Sequence, residues 1–61
     1  MELKTGEIYQ ETSTGREFVL VQIAEHPTGE VWVGFQNLAS RRHFTVPEAQ
    51  FRRDFEAKTS P

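Results

Sequence analysis

The sequence predicts a mainly β domain of four or five short strands curled into a small barrel, with a short helix or helical turn near the C-terminal end. Three observations carry this reading. Phe18-Val19-Leu20-Val21-Gln22-Ile23-Ala24 is an uncharged run with apolar residues on both alternating faces. Val31-Trp32-Val33-Gly34-Phe35-Gln36 alternates with the period of two that a half-buried strand requires. Turn signals set these runs apart, Glu11-Thr12-Ser13-Thr14-Gly15 before the first and His26-Pro27-Thr28-Gly29 between the two.

A first strand is expected at residues 6–10, ended by the polar run that closes on Gly15. The strand at 18–24 belongs in the centre, shared between two packed layers or bent through a barrel, because at an edge it would be an aggregation hazard. In His26-Pro27-Thr28-Gly29, proline sets the first central torsion and glycine is free to take positive φ, so a hairpin leads into a strand at 30–36. Its Val31, Val33 and Phe35 point to the core, and Trp32 is left on the otherwise polar face beside Gly34, where a glycine leaves room for something to approach. Residues 37–42 read as a loop and 43–46 as a fourth strand with Phe44 and Val46 inward. Thr45 and Glu48 have capping-box spacing, but Val46 precedes a proline, so the helix is expected to start at Pro47 and run to 55. There Phe51 and Phe55 share a face, Glu48 and Arg52 are spaced to pair, and Arg52 and Arg53 suit the negative helix end. The domain spans 1–55, and a polar tail at 56–61 is expected to fray.

With 61 residues, 36% hydrophobic and 26% charged, the chain has no room for a second domain. No apolar run approaches the roughly 18–20 residues of a membrane helix. The start Met-Glu-Leu-Lys-Thr-Gly lacks the basic and apolar regions of a signal peptide, so a cytoplasmic protein without a membrane partner is expected. The absence of cysteine removes disulfides, thiolate metal sites and a cysteine nucleophile. Burial of the apolar part of roughly 6,000 Å² contributes on the order of 90 kcal/mol. Ordering the chain at about 1.5 kcal/mol per residue costs nearly the same. Such a marginal domain favours self-association or a partner that shares an apolar face.

Catalysis has little to stand on. There is no G-x-S-x-G, no H-E-x-x-H, and the four glycines are too dispersed to cradle a phosphate. His26 sits at a turn start, and His43 lies beside two arginines whose positive charge disfavours a nearby cation. No metal, small-molecule cofactor or catalytic residue is expected. Charge is polarised: residues 1–30 carry Lys4 and Arg16 against six glutamates, a net of −4, whereas 31–61 carry five basic residues against three acidic ones, a net of +2. Arg41, Arg42, His43, Arg52 and Arg53 are candidates for one basic patch beside Trp32, the combination that single-stranded nucleic acid uses for phosphate attraction and base stacking. The plainer alternatives are solvated arginines, or pairing with an acidic protein surface. Trp32 is either covered by Tyr9, Leu38 or the helix, or is a binding hot spot.

Gly6-x-x-Tyr9, Glu17-Phe18, Ile23-Ala24-x-His26, Thr28-Gly29-Glu30, Val33-x-Phe35-Gln36-Asn37-Leu38 and Pro47-x-x-x-Phe51 together resemble a bacterial family of small single-domain proteins classed only as a domain of unknown function. The resemblance covers residues 3–55 and implies an SH3-like barrel but no activity. Members usually carry an aromatic residue, a valine and an arginine before the proline, whereas this chain has Phe44-Thr45-Val46-Pro47, so no site using that arginine transfers. Val21-Gln22-Ile23 also resembles three residues of the plasmid-borne dihydrofolate reductases, but it precedes the hairpin instead of lying near the chain end.

The expectation is a non-catalytic binding module acting by protein–protein interaction or self-association, with Trp32, Arg41, Arg42, His43, Arg52 and Arg53 as binding residues. The second reading is a nucleic-acid accessory protein that uses the Trp/Arg patch. The third is an enzyme whose site is assembled across a subunit interface from residues such as Tyr9, His43 and Glu48.

Overall fold

A computed structural model describes residues 3–58. Strands and helix follow in the order β1 (Ile8–Glu11), β2 (Glu17–Glu25), β3 (Val31–Asn37), β4 (His43–Pro47), α1 (Glu48–Asp54) and β5 (Phe55–Ala57). All strand pairs are antiparallel, and the five strands form one sheet in the order β4-β3-β2-β1-β5. This is a mainly β fold of SH3-like order whose barrel is open, because β4 and β5 are the two edges and do not pair.

β1 begins two residues later than the sequence suggests. Gly6, at φ +90°, belongs instead to a turn, from which its N–H donates to the Leu20 carbonyl at 2.7 Å while the Leu20 N–H donates to Glu7 at 3.0 Å. β2 is central, as expected, and it bends. Phe18 and Leu20 stand opposite Asn37 and Phe35, the register then shifts between Leu20 and Gln22, and Ile23 rather than Gln22 stands opposite Val33. This bulge explains why both faces of the run are apolar: the inward parity is even before it and odd after it. Val21 and Ile23 remain 37% and 42% exposed, so no second layer covers them.

Tyr9, Phe18, Leu20, Val33, Phe35 and Phe51 form the buried core, with Leu3, Val46 and Phe55 packed against it. It is largely aromatic. Phe18 meets Phe35 edge-on at 5.2 Å, Tyr9 meets Phe51 edge-on at 5.1 Å, and Phe51 stacks on Phe55 at 4.6 Å. Such pairs add about 0.5–1.5 kcal/mol each beyond the area they bury. Phe44 faces inward as expected, yet stays 40% exposed because β4 is an edge.

Two expectations at the C-terminal end are corrected. The helix occupies Glu48–Asp54, with Pro47 as an extended N-cap residue and no side-chain cap, so the Thr45/Glu48 box does not form. Phe55 leaves the helix at φ −128°, ψ 152°, although its N–H still donates to Phe51. The tail does not fray from residue 56: Glu56 and Ala57 pair with Gln10 and Tyr9, and the Lys58 N–H donates to Ile8 at 3.0 Å. The outward amides and carbonyls of β1 need partners, and a strand can supply them with little apolar content of its own. Lys58 also bridges Glu17 at 2.9 Å. Residues 59–61 of the expected tail lie outside the described residues.

Phe51 is 1% exposed and plugs the open side of the sheet. Phe51→Ala is expected to cost about 3–5 kcal/mol, most of the roughly 3–9 kcal/mol that a domain of this size possesses. Urea unfolding followed by circular dichroism measures that loss.

Candidate functional site

Val33 and Phe35 of β3 point into the core, so Trp32, Gly34 and Gln36 lie on the outer face of the sheet. Across the strands Trp32 is flanked by Ala24 and Pro47, and Gly34 by Gln22 and Thr45. The half-buried indole is held in place. Its Nε1–H donates to Glu30 Oε1 at 2.8 Å, and its ring lies 5.8 Å from that of His26. A side chain at position 34 would bring its Cβ to 3.3 Å from the Gln22 Cβ, so the glycine keeps this spot low. The result is a shallow hollow of about 310 Å³ lined by Gln22, Ala24, His26, Trp32, Gly34 and Thr45. It offers an aromatic wall, with an amide and a hydroxyl within reach.

None of the covers expected for Trp32 lies over it. Tyr9 is in the core against Phe51. Leu38 is 45% exposed in the β3–β4 turn, and α1 packs its Phe51 into the core face. Burial pushes the Tyr9 phenol above its ordinary pKa, and the Glu7 carboxylate adds to the shift, so Tyr9 is neutral at physiological pH. Tyr9, His43 and Glu48 do not assemble within one chain: His43 is exposed on β4 and Glu48 pairs with Arg52 at 2.9 Å. Among the described residues no group of three or more His, Asp or Glu side chains is arranged to hold a metal ion.

The basic candidates fall in separate places. Arg53 sits 3.3 Å from Asp54, and Arg52 is bound to Glu48 on the same helix. Arg41, Arg42 and His43 stand at the far end of β3 from Trp32, since His43 is opposite Gln36 while Trp32 is opposite Pro47. The two positions are four residue steps apart along the strand, about 13 Å. The turn that carries the arginines is built on Asn37, whose Oδ1 accepts the N–H groups of Ala39 and Ser40 at 2.8 and 2.9 Å. The Arg41 N–H closes it on the Asn37 carbonyl at 2.8 Å.

Arg16 is the residue that sequence reasoning missed. With Arg42, Asn37, Leu38 and Phe44 it lines a hollow of about 660 Å³ between the β1–β2 and β3–β4 turns. Arg16, Arg41 and Arg42 take part in none of the ion pairs among the described residues. The only cue was positional: Phe18 pairs with Asn37, which sets the residue two before Phe18 beside the turn that begins at Asn37, and a register of this kind is not written in composition. Comparison with protein families, curated proteins and solved structures finds no match for the chain.

Arg41 is held at φ +64°, the left-handed region where a Cβ is unfavourable. Arg41→Gly is therefore expected to stabilise the domain by about 1 kcal/mol, read as a rise in the thermal midpoint.

Proposed function

We propose that the protein is a small non-catalytic binding module that docks a protein segment on the outer face of its sheet, with Trp32 as the anchor. The observation that carries this reading is the half-buried indole, fixed by Glu30 at the rim of an open hollow that Gly34 keeps shallow. A large ring already fixed in place loses little conformational freedom on binding, and tryptophan is among the residues that dominate interface energetics. The occupant that fits is an apolar side chain presented on an extended segment, with Gln22 and Thr45 available to its polar backbone. The resemblance to the bacterial family of small SH3-like proteins is part of this reading, as is a cytoplasmic location. No helix among the described residues is long and apolar enough to cross a membrane.

A second reading, contact with single-stranded nucleic acid, is favoured by Arg16 and Arg42, which line one hollow with the exposed ring of Phe44, and by Arg41 in the same turn as Arg42, all three outside the ion pairs of the described residues. It moves the aromatic role from Trp32 to Phe44.

Selection from a random-peptide display library separates the two. Peptides that bind the domain and lose about thirtyfold or more in affinity to Trp32→Ala, the scale of a hot-spot residue, support the docking reading. Peptides that bind Trp32→Ala equally well overturn it. Oligonucleotide binding that weakens steeply with salt and is lost in Arg42→Ala supports the second reading instead.

A further inference from the structure

β4 is an edge strand, and the hydrogen-bond parity of its hairpin fixes which backbone groups face outward. The Asn37 N–H donates to the Arg42 carbonyl at 2.9 Å, so 37 and 42 form a hydrogen-bonded pair. Pairing then alternates along an antiparallel ladder. Phe35 with Phe44 and Val33 with Val46 are hydrogen-bonded pairs, while His43 and Thr45 face Gln36 and Gly34 in non-hydrogen-bonded positions. The N–H and C=O groups of His43 and Thr45 are thus turned away from β3. Pro47, opposite Trp32, obeys the same parity. Its missing N–H falls on the free edge and ends it there.

Beside this edge the barrel is open. Phe44 stacks on Phe35 at 5.6 Å yet is 40% exposed. A hollow of about 290 Å³, lined among others by Phe18, Phe35, Phe55 and Val46, opens along the seam between β4 and β5.

We propose that this edge is a self-association surface on which β4 pairs antiparallel with β4 of a second copy, Phe44 facing the partner's Phe44. The register is determined by the free groups. With Phe44 on the twofold axis, His43 forms a hydrogen-bonded pair with the partner's Thr45, and Thr45 with the partner's His43, so all four outward N–H groups and all four outward carbonyls are matched. A shift toward the turn would set Thr45 against the partner's Arg41, whose N–H is already given to Asn37. A shift the other way sets His43 against the partner's Pro47, which has no N–H. The chosen register places the two Phe44 rings in a non-hydrogen-bonded pair, where cross-strand side chains approach most closely, over the open seam. Charge does not oppose it: the turn bearing Arg41 and Arg42, both outside the ion pairs of the described residues, runs at each end of the interface alongside the partner's Pro47 and Glu48, a carboxylate that would be shared with Arg52 of its own helix. So short an edge gives a weak dimer that forms at high protein concentration. The surface shares Thr45 with the Trp32 hollow, its side chain lining the hollow and its backbone the edge, but Trp32 takes no part in the pairing, so loss of peptide binding in Trp32→Ala and loss of the dimer are separate outcomes.

Sedimentation velocity over a concentration series tests the proposal with Thr45→Pro. Position 45 gives no hydrogen bond to β3, so proline there removes the outward donor while leaving the hairpin ladder intact, as Pro47 already does two residues on. The full chain is expected to shift from monomer to dimer with concentration, and folded Thr45→Pro, checked by circular dichroism, to need at least tenfold more protein. Phe44→Cys provides an independent readout in a chain without cysteine. It is expected to form an interchain disulfide on mild oxidation faster than Thr28→Cys in the exposed β2–β3 turn. A wild-type chain that stays monomeric at the highest concentration overturns the proposal. So does a folded Thr45→Pro that dimerises undiminished, or, should that variant not fold, Phe44→Cys that cross-links no faster than the control.

Discussion

The register shift between Leu20 and Gln22 decides where the other parts of this sheet can go. Ahead of it, Phe18 and Leu20 point inward and meet the aromatic residues of β3 and α1; beyond it, Gln22 and Ala24 point outward and meet Gly34 and Trp32. In an unbroken strand the parity would not change, Gln22 would face Phe51 and Phe35, and Ile23 would occupy the place where the hollow now lies. Both the dry core and the candidate docking surface therefore rest on one extra residue in one strand.

The open seam is a second constraint on the fold. The strand order leaves β4 and β5 unpaired, and the gap between them is filled by rings instead of backbone pairing. Phe51 from the helix and Phe55 from the strand that follows stack with their planes only 10° apart. The core is thus covered by side chains on its open side and by hydrogen bonds elsewhere. Van der Waals contact alone leaves a ring such as Phe44 partly in water.

Much of this was legible in the sequence. The alternation of 30–36 placed Val33 and Phe35 inside and Trp32 outside, and spacing alone anticipated the pair between Glu48 and Arg52. Phe55 shows where the sequence signal was degenerate: four residues after Phe51, it satisfies a helical face, and it satisfies the core equally well from a strand. Glu56 and Ala57 were misread because they pair through backbone, to which side-chain patterning is blind. Whether the basic residues form one patch is open in the sequence, since chain proximity is its only measure of distance. Strand register separates Arg41 and Arg42 from Trp32 and brings up Arg16 from a turn some 25 positions earlier in the chain.

The pairing of β1 with β5 has a bearing on how the chain comes to be folded. Tyr9 finds its neighbour in Ala57, so a strand made among the first residues waits for one made among the last. The β2–β3–β4 meander, whose partners are adjacent in sequence, closes only short loops, whereas β1 and β5 close one nearly as long as the domain. Until that closure β1 has one side unmatched. Local contacts come early and the long-range closure comes last, so in the folding chain the apolar strand β2 is protected by its hairpin partner before it is protected by a core.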